Sequence, residues 1–333
     1  MKPILQSIAS KEIFSLSIVG MGKNTGKTVA LNYLIDEFKW LEGLAITSVG
    51  LDGEDMDQVT YTEKPAVYFY EGMLAATATE TLKEFDCQYE ILAGTDIYNQ
   101  LGEVMLIKIK SYGTGIVAGP KQSHQLKRVL GKLRKVGAKK VFVDGAINRK
   151  ASAAPTITDG TVVATGAAVS RNINRLVQET VHQVNLLTLP KWEGSIPEGH
   201  ILTVMIDGEK IVKTPYASAI GAKDIIRYFS LEERNSVFIP GAVTSDFINQ
   251  LTSFVSKGYK IDIIAKDGTK IFCSPFELNT FIKKGGKPFV QKKCNLIGVF
   301  INPISPKGYE FSSSDLEKRL EKFLHLPVVD PLK

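Results

Sequence analysis

The stretch that most restricts what this chain can fold into is Gly20-Met21-Gly22-Lys23-Asn24-Thr25-Gly26-Lys27-Thr28. It follows a short apolar run, Phe14 to Val19, and opens a segment in which Val29, Ala30, Tyr33, Leu34 and Phe38 recur at helical spacing. A glycine-punctuated turn between a strand and a helix lets successive backbone amides converge on phosphate oxygens, and the helix amino terminus adds partial positive charge. In that setting Gly22, Lys23, Asn24, Thr25, Gly26, Lys27 and Thr28 are the candidate nucleotide-binding residues. Lys27 is placed to reach the β- and γ-phosphates, and the Thr28 hydroxyl to ligate Mg²⁺. The implied cofactors are ATP and Mg²⁺, with no base-specifying motif to separate ATP from GTP. One departure stands out: Met21 occupies the slot of the first glycine in the standard loop, with glycine on either side.

Two acidic elements belong with this loop. Val141-Phe142-Val143-Asp144-Gly145 reads as a buried strand that delivers Asp144 to its carboxyl end, as a Walker B carboxylate requires. Asp52-Gly53-Glu54-Asp55-Met56-Asp57 follows a second strand, Leu44 to Val49. Ligands of α/β sheets bind at the carboxyl ends of strands, so Asp52 and Glu54 are candidates to complete a metal shell or position a water. The plainer reading of that run is a solvated acidic turn, because crowded carboxylates repel one another without a cation. The candidate catalytic residues are thus Lys27, Asp52 and Asp144, and the candidate metal ligands Thr28, Asp52, Glu54 and Asp144. Arg149, just past Asp144, reads equally as a phosphate contact or a solvated side chain.

Composition narrows the class further. The chain has 333 residues, 44% hydrophobic and 23% charged, enough for two ordinary globular domains. A net charge of +6 without tight basic stripes argues against nucleic acid as a partner. No segment reaches the ~18 uninterrupted apolar residues of a membrane span, and the first residues lack the apolar core of a secretion signal. Cys87, Cys273 and Cys294 are sparse and contain no Cys-x-x-Cys pair. That pattern leads to the expectation of a cytoplasmic protein with neither a membrane nor a structural zinc.

Along the chain, apolar runs alternate with helical patterns up to about residue 189, the mark of βαβ units. The expected fold is α/β of the P-loop NTPase type, with a mostly parallel sheet over 1–189. Pro190 to Gly199 reads as a linker, and 200–333 as a smaller α/β or α+β domain opening on a hairpin around Asp207-Gly208. Within the first domain Met73 to Phe85 reads as helical. Ser170 is expected to cap the helix that follows it, and Ser314 and Glu317 have the spacing of a capping box.

Five segments together resemble a known group: Gly20 to Thr28, TSVGLDGEDMD (Thr47 to Asp57), VFVDGAINRKASA (Val141 to Ala153), DGTVVATGAAVS (Asp159 to Ser170) and INPISPKGYEF (Ile301 to Phe311). They resemble the P-loop subunit of the reactivating factor for lysine 5,6-aminomutase, over nearly the whole chain. The loop spacing from Gly20 is also similar to that of dethiobiotin synthetase and the cobyrinate amidation proteins. The resemblance implies an ATPase that rescues an adenosylcobalamin-dependent aminomutase by cofactor exchange. Its partners would be that cobalamin-dependent aminomutase and a companion reactivase subunit similar to MutS. It also implies phosphate and metal binding by Lys27 and Thr28, a Walker B role for Asp144, and a place in the acidic loop for Asp52. The alternative from a different class is an ATP-dependent small-molecule ligase or kinase of dethiobiotin synthetase type, which calls for a deep basic pocket beside Thr28.

Overall fold

The run Val141–Val143 is wholly apolar, and Leu16–Val19 is broken only by the buried Ser17, the pattern of strands whose sheet is covered by helices on both faces. In the computed structural model, which describes residues 2–49, 66–146, 156–196 and 201–333, each run becomes a central strand. In chain order the elements begin with α1 (Pro3–Ala9), β1 (Ser15–Gly20), α2 (Lys27–Phe38) and β2 (Leu44–Ser48). Then come β3 (Val67–Phe69), β4 (Leu74–Ala78), β5 (Tyr89–Asn99), β6 (Gly102–Ile109) and β7 (Gly113–Gly115). The sequence of α3 (Ser123–Lys135), β8 (Lys140–Ala146), β9 (Gly160–Gly166) and α4 (Ile173–Leu187) follows.

The next stretch holds β10 (Thr203–Ile206), β11 (Lys210–Lys213), β12 (Arg234–Ile239), β13 (Val243–Thr244) and α5 (Ser245–Ser256). It continues with β14 (Lys260–Ala265), β15 (Ile271–Phe272), α6 (Pro275–Lys283) and β16 (Lys287–Val290). Last come β17 (Leu296–Asn302), β18 (Ile304–Ser305), β19 (Tyr309–Glu310), α7 (Ser313–Glu321) and β20 (Val328–Val329). No helix among the described residues is long and apolar enough to cross a membrane.

The fold is α/β. A nine-stranded sheet runs β20-β17-β9-β1-β8-β2-β4-β6-β5. From β20 to β4 the neighbours pair in parallel, and β6 and β5 close the edge antiparallel. Leu16 and Ile18 of β1 pack with Leu31, Leu34, Ile35 and Phe38 of α2 in one buried cluster. Burying each such side chain contributes about 1.5–3 kcal/mol relative to exposure.

The chain divides into two compact units, Met1–Val181 with Asn295–Lys333, and His182–Cys294. The second is built on a five-stranded sheet, β11-β10-β12-β14-β16, whose last three strands are parallel. Phe247, Ile248 and Leu251 of α5 and Phe281 of α6 fill its core. Asp207 and Gly208 both take positive φ, 50° and 76°, as the expected type I′ hairpin requires.

The division differs from the sequence reading, which assigned everything beyond residue 199 to the second domain. Residues 295–333 instead return to the first sheet, because β17 pairs with β9 from Leu296↔Thr161 to Asn302↔Gly166. A fully buried parallel strand can pair with any buried neighbour of like direction, so linear order did not reveal which sheet it joins. Within the expected linker, Lys191 bridges Val290. The helical reading of Met73 to Phe85 is also corrected: β4 occupies Leu74–Ala78 and a 3₁₀ turn Thr79–Glu84. All five residues of β4 are buried, and a short apolar run buried all round carries no period to tell strand from helix. Neither expected cap is the one used. Asn172, not Ser170, accepts from the amides of Asn174 and Arg175, and Ser312, not Ser314, accepts from Asp315.

At the amino end of β8, Lys140 is only 4% exposed. Its ammonium donates to the carbonyls of Ile8 and Ile13, and to that of Ser10 at 3.4 Å, so it ties the end of α1 to the sheet. Burial pushes the Lys140 ammonium down to about 8, against the pull of the Asp159 carboxylate. Between pH 8 and 10.5 the unfolded chain therefore holds a proton that the folded chain has released, and stability rises with pH across that window. Urea unfolding from pH 7 to 10.5 is expected to show a rise on the order of 3 kcal/mol from this group. The rise should be missing in Lys140→Met. Parallel pH curves for the two proteins would contradict the burial of the charge.

Candidate functional site

β1 brings the glycine-rich loop to the carboxyl end of the parallel sheet, between β8 and β9. The Met21 amide donates to the Ala164 carbonyl on β9 at 3.0 Å, so Met21 keeps the chain on the sheet edge before the loop turns. Thr25 is 2% exposed, and its hydroxyl donates back to the Gly22 carbonyl at 2.9 Å. Asn24 and Gly26 adopt positive φ, 61° and 88°, and Gly26 caps α2. Asn tolerates the left-handed region through its short polar side chain, while Gly enters it at no steric cost.

The result is a closed turn with free donors. The amides of Gly22, Lys23, Asn24, Thr25 and Gly26 make no hydrogen bond to any described residue. Backbone donors are nearly always paired where they are out of water. These consecutive amides lead into the amino terminus of a twelve-residue helix, an arrangement whose donors and partial positive charge suit an anion.

Lys27 begins α2, and its Nζ lies 3.1 Å from Asp144 Oδ1 on β8. Their side chains are 18% and 23% exposed, which makes this a largely desolvated pair. The strand register explains the meeting: Asp144 stands level with Ile18 on β1 and with Ser48 on β2. The Val49 amide donates to the Asp144 carbonyl at 2.8 Å. Ser48 donates to Val117 O at 3.1 Å and accepts from Gly119 N at 2.8 Å, so the Gly119-Pro120 turn sits at the same end of the sheet. The structure thus brings together Lys27, Asp144 and the loop 22–28. Asp52, Glu54 and Arg149 lie outside the described residues. No group of three or more His, Cys, Asp or Glu able to hold a metal occurs among the described residues.

Sequence reasoning missed the other side of the loop. A cavity of about 420 Å³ is lined by Met21 to Thr25, by Ala168 and Val169 after β9, and by Ser305, Pro306 and Lys307 after β17. Asn302 is the residue that closes the contact. A Cβ placed on Gly26 would lie 2.5 Å from Asn302 Cβ, so only glycine leaves room for it. The Asn302 carbonyl accepts from the Ala167 amide at 2.9 Å, and its Oδ1 accepts from Ile304 N at 3.1 Å. The Tyr309 hydroxyl donates to the Ala167 carbonyl at 2.6 Å. The signal for this wall was present, an apolar run ending in Asn302-Pro303, but it lies far along the chain, past an entire second unit.

Fold and site together define an α/β protein with a glycine-rich loop at the carboxyl ends of its parallel strands. No protein-family model matches the chain, and no curated protein matches it.

Proposed function

We propose that this chain is a P-loop protein that binds Mg·ATP at residues 22–28 and hydrolyses it. In this reading it is the nucleotide-using subunit of a factor that reactivates an adenosylcobalamin-dependent aminomutase. The observation that carries the nucleotide reading is the run of unpaired amides from Gly22 to Gly26 beside the Lys27 ammonium. A triphosphate supplies the acceptors those donors lack.

The Lys27–Asp144 pair balances charge when no ligand is bound. On binding, Lys27 exchanges the carboxylate for phosphate oxygens, which leaves Asp144 facing added negative charge. Thr28 and Asp144 offer the hard oxygen donors that Mg²⁺ prefers, and phosphate oxygens and water complete such a shell. A magnesium ion held by these oxygens would supply charge neutralisation for phosphoryl transfer. Asp144 lies on the β8 side of β1 and the 420 Å³ cavity on the β9 and β17 side. The base therefore takes the cavity, against Met21, Val169 and Pro306.

The reactivase level of the proposal rests on the resemblance, and one feature of the fold supports it. Its segments 159–170 and 301–311 are far apart in sequence yet both border the loop of segment 20–28. The test mixes the chain with its MutS-like companion and an inactivated cobalamin-dependent aminomutase. ATP with fresh cofactor is expected to restore turnover, and a non-hydrolysable analogue is not. No recovery with both subunits present, in a preparation that binds ATP, would overturn the reactivase reading and leave the nucleotide site standing. ADP release stimulated by a carboxylic acid, with no partner protein, would point to the ligase class instead.

A further inference from the structure

The carboxyl half of α2 carries a second constellation, which the nucleotide reading does not use. Asn32 Nδ2 donates to Ala66 O at 2.8 Å, and Asn32 Oδ1 accepts from Tyr68 N at 3.2 Å, so the helix holds β3 at both ends of one side chain. Asp36 Oδ1 accepts from the Tyr70 hydroxyl at 2.9 Å and pairs with Lys39 Nζ at 2.6 Å. Tyr68 and Tyr112 lie with planes within 11° of parallel and centroids 6.4 Å apart, and Tyr70 packs on Tyr112 at 5.3 Å. Tyr68 is 42% exposed and Tyr112 61%.

A second carboxylate stands on the same face. Thr114 is opposite Tyr68 across the β3–β7 pair, so their side chains share one side of it. Asp86 accepts from the Thr114 amide and, at 2.9 Å, from the Thr114 hydroxyl. These bonds hold the Asp86 carboxyl below the usual range, the amide first and the hydroxyl next. Lys39 and then Tyr70 do the same for Asp36. Both carboxylates are therefore ionised at neutral pH, in a chain whose net charge is +6.

The ring faces already act as a cation platform, since Lys39 Nζ lies 5.0 Å from the Tyr70 centroid. Lys39 already balances Asp36, so it is the two exposed rings and the Asp86 carboxylate that make this surface attract cations and repel phosphates. We propose that Tyr68, Tyr70 and Tyr112, flanked by Asp36 and Asp86, dock a protein partner that presents arginine or lysine side chains to the faces of Tyr68 and Tyr112. Tyrosine suits such an interface because it offers a large, rigid contact at low entropic cost. The surface sits on the helix whose first turn carries Lys27 and Thr28, and it stands whether or not ATP is the ligand there.

The probe is a fluorescein-labelled Gly-Arg repeat peptide, with its neutral citrulline counterpart as control, followed by anisotropy at low salt. Tyr68→Ala/Tyr112→Ala is expected to weaken the arginine peptide about tenfold or more, as loss of desolvated cation–π contacts implies. Tyr68→Phe/Tyr112→Phe, which keeps the ring faces, is expected to bind like wild type. The citrulline peptide should not bind. Tyr112→Ala alone, at the more exposed ring, serves if the double variant does not fold. Equal affinity of wild type and alanine variants, or equal binding of the citrulline peptide, would overturn the proposal. So would a wild-type dimer that Tyr112→Ala dissociates, because the occupant would then be a second copy of the chain.

Discussion

Lys27→Ala is expected to abolish stabilisation by Mg·ATP while leaving the fold intact. At a hundredfold excess over Kd, a ligand that binds only the folded state stabilises it by about 2.7 kcal/mol. Wild type should show that increment as a higher melting temperature, and the variant none. The reason is positional as much as electrostatic. The ammonium lies at the first residue of α2, beside amides that have no other acceptor, and no other lysine of the loop approaches Asp144 among the described ion pairs. Removing it also takes the ammonium away from a carboxylate only 23% exposed. The unliganded variant should therefore melt somewhat lower than wild type, with unchanged far-ultraviolet dichroism. Full stabilisation of the variant by Mg·ATP would show that phosphate does not lie where the loop and the lysine converge.

The second large effect is expected at Gly26, where two independent constraints meet. At φ 88° any side chain is strained, at a cost of roughly 1–2 kcal/mol. A Cβ there would also lie 2.5 Å from Asn302 Cβ, well inside contact distance. Gly26→Ala is thus expected to lose about 2–4 kcal/mol of stability when strain and overlap combine. The loop must shift to accommodate the methyl group, so the ATP-induced rise in melting temperature should vanish as well. Asn302→Gly in the same chain removes the overlap but not the strain. The double variant should recover part of the lost stability, a coupling that a double-mutant cycle measures directly. Additive effects of the two substitutions would mean that β17 does not press on the loop.

That contact explains why the chain must come back after its second unit. The loop is braced on one side by β8, which follows it within the first unit, and on the other by β9 and β17. Only β9 of these last two belongs to the first pass of the chain. Asn302 and the β18–β19 hairpin arrive from beyond residue 294: Asn302 closes on Gly26, and Ser305, Pro306 and Lys307 line the cavity.

Much of this was legible in linear order. The Gly-Lys-Thr triplet, its flanking strand and helix, and the delivery of Asp144 by a strand are local patterns, each set by periodicity or backbone freedom within a few residues. The Asp207-Gly208 hairpin is equally local. The errors fall where local pattern is silent. β4 has no period because it is buried on both faces. The cap at Ser312 competes with Ser313 and Ser314, and among three adjacent hydroxyls the helix packing decides which one faces the amide of Asp315.

The sequence alone determined that a strand would lead into a glycine-rich loop and a helix, and that an acidic strand end would accompany it, because those properties reside in neighbouring residues. Tertiary structure alone decided that Lys27 meets Asp144, that Asn302 closes on Gly26, and that residues 295–333 belong to the first sheet. Those are pairings between distant segments, selected by strand register and by which buried surfaces fit, and chain order carries no record of either.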